Sequence, residues 1–254
     1  MNTNSQDGSR PTVVLVHGAF ADGSSWNGVI ERLQAEGVRV TAPANPLRGI
    51  SHDSAYLTSL IDQTPGPVIA VGHSYGGAVI TNAATNADNV VGLVYVAAFV
   101  PDEGERLGEI EGGSTDSVLN AALMPLNYPT GQGEQTAAEF AIDPDKFHDA
   151  FAADLPSGQA AVMAATQRPV AELAFSEPNG EPAWKMLPSW AVVATGDKAA
   201  GADVVRSMAE RAGAMITEAE GSHVIMVSQP QVVAEAILTA LAAATQKEAL
   251  RAGR

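Results

Sequence analysis

Three groups in this chain have the types and order that nucleophilic acyl-transfer chemistry requires. The first is Ser74, set in Val68-Ile69-Ala70-Val71-Gly72-His73-Ser74-Tyr75-Gly76-Gly77, an apolar run that passes through Gly-x-Ser-x-Gly into the helical Ala78-Val79-Ile80. A serine hydroxyl reacts at neutral pH only when a neighbouring base takes its proton. Held in a tight strand-to-helix turn, Ser74 would adopt a strained backbone, with the residues two before and two after it too close for side chains, hence Gly72 and Gly76. The turn would lift the hydroxyl clear of the sheet and aim the Tyr75 amide at a developing oxyanion. A bare Gly-x-Ser-x-Gly is weak; between a strand and a helix it carries weight. The competing explanation is that these glycines only let helix pack on strand, as in nucleotide-binding turns.

The base must be one of five histidines: His17, His52, His73, His148 and His223. His73 adjoins the nucleophile but should point away from it, His52 opens a helix, and His148 lies on an amphipathic stretch with Phe147 and Phe151. His17 reads as packed and hydrogen-bonded behind its loop. His223, in Glu220-Gly221-Ser222-His223, falls between the last strand and the final helix, where loops at strand C-termini build sites. A carboxylate between Ser74 and His223 in sequence completes the order nucleophile, acid, base, and Val192-Val193-Ala194-Thr195-Gly196-Asp197 supplies one just past a strand. Asp102 and Glu103 form the competing placement, although Pro101-Asp102-Glu103 equally resembles a helix start. After the first strand, Val16-His17-Gly18-Ala19-Phe20 places the Ala19 amide as the second oxyanion donor, with Phe20 as an apolar wall.

Positioning these groups calls for a parallel sheet with helices on both faces, because Val- and Ile-rich runs alternate with longer Ala-rich amphipathic stretches. Strands are expected at Thr12–Val16, Val38–Ala42, Val68–Val71, Val91–Val96, Trp190–Ala194 and Ala214–Glu218, each buried on both faces. Helices are expected at Trp26–Glu36, His52–Thr64, Gly76–Thr85, Ala202–Ala212 and Pro230–Thr245. The alternation fails between Pro101 and Pro188, a Gly- and Pro-punctuated stretch too long for a connection, which reads as an inserted cap. The organisation expected is a loose tail over residues 1–10, a core over 11–101 and 189–254, and a cap over 102–188; Lys247 to Arg254 are expected to fray.

Composition narrows the partners. The 14 Lys and Arg against 29 Asp and Glu give a formal charge of −15, which repels phosphate backbones and anionic membranes. Hydrophobic residues make up 46% and charged residues 17%, so disorder is excluded for most of the length. With no cysteine there is no disulfide, thiolate metal site or cysteine nucleophile. Neither an export signal nor a run of the ~20 apolar residues that cross a bilayer is visible. The expectation is a soluble cytoplasmic protein, monomer or homodimer, needing no cofactor and no metal.

The motifs Val-His-Gly-Ala-Phe, Gly-His-Ser-Tyr-Gly-Gly, Thr-Gly-Asp-Lys and Gly-Ser-His together resemble the α/β-hydrolase superfamily, in particular bacterial esterases related to plant methylesterases and hydroxynitrile lyases. The likeness extends to Ala21-Asp22-Gly23-Ser24-Ser25-Trp26, Val94-Tyr95-Val96-Ala97-Ala98-Phe99 and Pro101-Asp102-Glu103-Gly104-Glu105, and is loose in the cap. It implies an α/β-hydrolase fold and a Ser74, Asp197, His223 triad cleaving a small, uncharged, hydrophobic ester. In the plant lyases a Thr commonly stands at the position of Gly18 and a Lys at that of Val224; lacking that cation, this chain has little to hold cyanide. Ser74, where dehalogenases and epoxide hydrolases of the fold carry Asp, argues against those reactions. A lyase or perhydrolase on the same triad, or a weakly active ligand receptor, are the rivals. Phe20, Phe99 and Trp184 are the candidate substrate contacts; Leu123, Met124, Phe147, Phe151 and Met163 suit an apolar substrate or simply the cap's own core.

Overall fold

The computed structural model describes residues 11–252, so the tail expected over 1–10 lies outside the described residues. Six strands, β1 (Thr12–Val16), β2 (Val40–Thr41), β3 (Val68–His73), β4 (Val90–Val96), β8 (Ser189–Ala194) and β9 (Met215–Ala219), form one sheet in the order β2-β1-β3-β4-β8-β9. Every pairing in it is parallel. Every residue of β1, β3 and β8 is buried, which for side chains that alternate between faces means that both faces are covered. This is why those strands read as continuous apolar runs.

The edge strands depart from that expectation. β2 shrinks to two residues, half-buried Val40 and exposed Thr41, and β9 exposes Met215, Thr217 and Glu218, so neither is buried on both faces. Each has a neighbour on one side only, and short or charged edges resist pairing with other chains.

The helices of this layer are α1 (Asn27–Ala35), α2 (Ile50–Asp62) and α3 (Tyr75–Ala83), then α9 (Ala202–Arg211), α10 (Ile225–Ser228) and α11 (Pro230–Ala252) after the insertion. α3 packs on β1, β3 and β4 with α2 against it, while α11 crosses β3, β4 and β8 and packs on α1. α2 starts two residues earlier than expected because Gly49, at φ 141°, turns the chain into it. α11 continues to Ala252 where fraying was expected from Lys247.

The chain leaves the sheet after β4 and returns in the adjacent β8, and the intervening residues hold α4 (Leu107–Gly112), α5 (Leu119–Ala122), α6 (Pro144–Phe151), α7 (Ser157–Thr166) and α8 (Leu173–Ser176). They also hold a second, antiparallel sheet, β5 (Leu123–Pro129), β6 (Thr136–Ile142) and β7 (Val170–Ala171) in that order, which the sequence reading did not contain. Phe147 and Phe151, on α6, are fully buried in the main core, so the insertion is seated on the sheet as one packed body with it. Among the described residues no helix is long and apolar enough to cross a membrane.

Candidate active site

β1 runs to β2 on one side and β3 lies on its other side, so the order of the sheet reverses between β1 and β3. Crevices at such switch points, outside the C-terminal strand ends, are where open parallel sheets bind ligands. The candidate triad and oxyanion residues follow strands at this C-terminal edge of the sheet. Gly18, Ala19 and Phe20 follow β1, Ser74 follows β3, Phe99 follows β4, Asp197 follows β8 and His223 follows β9.

Ser74 takes φ 53° and ψ −124°, a left-handed conformation that costs a side-chain-bearing residue about 1–3 kcal/mol and persists only where its surroundings impose it. The surroundings are backbone. A Cβ on Gly72 would lie 2.6 Å from the Gly76 carbonyl carbon and from the Gly77 nitrogen, and one on Gly76 would meet the Val16 and His17 carbonyl oxygens. The Ser74 carbonyl accepts from the Gly77 amide at 2.9 Å and from the Phe99 amide at 3.2 Å. Among the described residues three more with side chains have positive φ, namely Phe20 (60°), Leu47 (61°) and Ala97 (44°), each in the loop after its strand. Strain is thus concentrated at the sheet edge that carries the candidate chemistry.

His223 and Asp197 are both 1% exposed, and the His223 Nδ1 lies 2.8 Å from Asp197 Oδ2. The other carboxylate oxygen of Asp197 accepts the amides of Ala199 (2.9 Å) and Ala200 (3.1 Å), so the acid is oriented from both sides. The loops are joined as well: the Gly196 amide donates to the Gly221 carbonyl at 2.9 Å, continuing the β8–β9 ladder. Nδ1 of His223 is therefore committed to Asp197, and Nε2 is the ring nitrogen outside that pair. Asp102, the competing acid, forms an ion pair with Lys185 at 2.6 Å instead.

The remaining histidines have structural partners. His73 is fully buried, donates from Nε2 to the His223 carbonyl at 2.9 Å, and so ties the residue before Ser74 to the loop of His223. Burial holds its imidazole well below the ordinary histidine range, so it stays neutral. His52 contacts Asp53, and His148 donates to the Leu155 carbonyl. His17 Nε2 accepts the Asn45 amide at 2.9 Å while its Nδ1 faces the Gly18 carbonyl at 2.9 Å, and burial lowers its proton affinity too.

Among the described residues the amides of Ala19 and Tyr75 have no acceptor, whereas the Phe20 amide is occupied by the Arg168 carbonyl at 3.2 Å. A Cβ on Gly18 would sit 2.6 Å from the Ser74 Cβ, which shows how closely the first loop approaches Ser74. The Tyr75 hydroxyl donates to Asp53 Oδ2 at 2.8 Å; burial first, then that carboxylate, pushes its phenol well above the ordinary value. Asp53 is itself fully buried and receives the Arg48 amide.

Phe20 lines a cavity of about 180 Å³ with Ala21, Ser25, Val162, Met163 and Val227, between the first loop and α7. Phe151, from α6, packs on His223 with ring centroids 4.9 Å apart and planes tilted by 59°, and meets Phe20 edge-on at 6.1 Å. Trp184 lies apart from these rings, its indole N–H donating to the Pro101 carbonyl at 3.0 Å. A more open cavity of about 750 Å³ lies behind the His223 loop, lined largely by polar groups including Arg32, Asp154, Glu220 and Gln231. Among the described residues no cluster of three or more His, Asp or Glu is placed to hold a metal ion.

Asp53, Arg168 and Asp154 join the site in the fold without a signal in the sequence. Asp154 anchors the insertion on the His223 loop by accepting from the Ser222 hydroxyl at 2.5 Å. Arg168 and Asp154 stand in irregular stretches and Asp53 in the first turn of α2, where a single charged residue carries no spacing signal, and only the fold brings them to the site.

A six-stranded parallel sheet with a serine in a strained strand-to-helix turn after β3 and a buried His–Asp pair in the loops after β8 and β9 fits the α/β-hydrolase class. The chain belongs to the alpha/beta hydrolase family, whose model matches residues 13–236. It is 37% identical over 107 residues to a carbendazim hydrolyzing esterase of Nocardioides sp. (strain SG-4G), covering 37% of this chain and 44% of that protein. Against a pyrethroid hydrolase of Sphingobium wenxiniae the identity is 27% over 162 residues, covering 57% and 55%. The matches thus span about half the length of these curated relatives. The crystal structure of a pyrethroid hydrolase from Sphingobium faniae JZ-2 superposes with a TM-score of 0.75 at 21% identity, over 92% of this chain and 98% of that one.

Proposed function

We propose that the protein is a serine hydrolase that cleaves a small, uncharged, hydrophobic carboxylic ester through a covalent acyl-enzyme. The observation that carries this reading is the buried His223–Asp197 pair, 2.8 Å apart, at the same sheet edge as the strained Ser74. His223 Nε2 takes the Ser74 proton as the hydroxyl oxygen attacks the ester carbonyl, and Asp197 stabilises the imidazolium. The Ala19 and Tyr75 amides hold the oxyanion of the tetrahedral intermediate. His223 then gives its proton to the departing alkoxide, the acyl group stays on Ser74, and a water activated by the same imidazole releases the acid.

The walls support this substrate class. Phe20, Val162, Met163 and Val227 give apolar surface to the cavity beside the first loop, which also carries Asp22, Ser24, Asn27 and Gln159, and the chain's net charge of −15 disfavours anions. Phe99 and Trp184 are the further contacts proposed for the substrate. The relatives named as an esterase and a hydrolase support ester cleavage. Val224, fully buried beside His223, puts no cation where a cyanide leaving group would need one, which weighs against a lyase.

Hydrolysis of short p-nitrophenyl esters by wild type and Ser74→Ala tests the proposal. The variant should lose nearly all turnover while folding normally; equal rates in the two would overturn it.

A further inference from the structure

The loop that would supply the second oxyanion donor is held by a residue of the insertion. The Arg168 carbonyl accepts the Phe20 amide at 3.2 Å, while Arg168 Nη1 donates to the Asn45 carbonyl at 3.0 Å and approaches His17 Nε2 at 3.4 Å. Asn45 in turn donates its amide to His17 Nε2 at 2.9 Å and its side-chain N–H to the His17 carbonyl at 3.0 Å. One arginine therefore grips both ends of the His17–Phe20 segment, through its main chain at Phe20 and through its guanidinium at His17 and Asn45. Both His17 and Asn45 are buried, so water cannot readily replace these bonds.

We propose that Arg168 is a positioning residue for the oxyanion loop, making the seating of the insertion a condition for a competent oxyanion hole. The inference rests on the assignment of Ala19 as a donor in the proposed hydrolase. Two features give it direction. With the Phe20 amide taken by the Arg168 carbonyl, Ala19 is the adjacent amide left to face the nucleophile. Phe20 also stands at φ 60°, a conformation that an aromatic residue keeps only under external constraint. The neutrality of His17 fits the arrangement: burial foremost, and the Arg168 cation after it, disfavour a proton that would abolish acceptance from Asn45, and these outweigh the opposing pull of the Gly18 carbonyl, Asp22 and Asp53.

The test compares wild type, Arg168→Gln, Arg168→Lys and Ser74→Ala with p-nitrophenyl acetate and with two inhibitors of one shape, a trifluoromethyl ketone that adds the serine as an oxyanion and the corresponding unfluorinated methyl ketone. Arg168→Gln should lower kcat by about 10- to 100-fold, a fraction of the loss on deleting an oxyanion donor, with KM changed less than about threefold. Its affinity for the trifluoromethyl ketone should fall by a similar factor and that for the methyl ketone should not. Arg168→Lys, which can still reach the Asn45 carbonyl, should recover part of both. If Arg168→Gln fails to fold, the same split measured on Arg168→Lys, at smaller amplitude, decides the matter. Unchanged kcat and trifluoromethyl ketone affinity, or equal losses for both ketones, would overturn the proposal. Full activity in Ser74→Ala would instead reject the hydrolase reading beneath it.

Discussion

Gly72→Ala puts one methyl group where the turn around Ser74 has no room. The added Cβ would lie 2.6 Å from the Gly76 carbonyl carbon and the Gly77 nitrogen, and closer still to the Gly76 oxygen. Carbon atoms meet comfortably at about 3.5 Å, so the shortfall is about 0.9 Å. Its neighbours are backbone atoms in the first turn of α3 and cannot rotate aside. Nor can β3 withdraw, since it is paired on both sides and buried throughout. The helix start must move, and the Tyr75 amide and the Ser74 conformation move with it. Overpacking of this kind costs about 1–3 kcal/mol, which in a domain of this size lowers Tm by about 2–12 °C. A displacement approaching 1 Å at the proposed oxyanion donor should lower kcat by about 100-fold. Thermal melts and p-nitrophenyl acetate kinetics measure both, with Gly158→Ala as control, since a Cβ there would meet nothing within 4 Å. A Gly72→Ala protein with wild-type Tm and kcat would refute the claim that this contact shapes the turn.

Asp197→Asn should keep the fold but lower kcat by about 10³- to 10⁴-fold, because an amide can hold His223 in the wrong tautomer; a loss below tenfold in steady-state kinetics would remove Asp197 from the mechanism. Tyr75→Phe leaves the buried Asp53 carboxylate one donor short and should cost about 1–3 kcal/mol in urea unfolding, with no change there indicating that water replaces the phenol. His17 and His73 have proton affinities lowered by burial, so between the unfolded value near 6.5 and their folded values the unfolded chain binds protons that the folded chain does not. Their contribution to stability is full above that pH and falls below it, by up to about 1.4 kcal/mol per pH unit for each. Carboxylates held low, such as Asp203 at about 2, lose theirs only in stronger acid. Tm should therefore decline from pH 7 to pH 5, and a flat profile there would contradict the neutral burial of both rings.

How much of this was readable in the chain differs by element. β1, β3, β4 and β8 announce themselves because a strand covered on both faces must be apolar along its length, and the turn at Ser74 because only glycine fits at 72 and 76. The β5–β6 hairpin hid behind Pro125 and Pro129, which read as breakers. They are tolerated because β5 is an edge strand, where a missing N–H need not face a partner. The loop closing that hairpin uses Gly131 and Gly133 at positive φ, punctuation that suggested irregular chain. Ser74, Asp197 and His223, the proposed triad, stand out in the sequence because each follows a strand in the order the proposed chemistry needs. The contacts of Arg168 with His17 and Asn45, and of Tyr75 with Asp53, join residues far apart in sequence at positions without periodicity, and only the packed fold reveals them.

The central claim is that Ser74 becomes nucleophilic through His223. Labelling with a fluorophosphonate, followed by intact-mass measurement and peptide mapping, addresses it directly. The account predicts one phosphonyl group per chain, carried on Ser74, and slowed by at least about 10³-fold in His223→Ala. Label on any other residue, or labelling of Ser74 at an undiminished rate without His223, would contradict it.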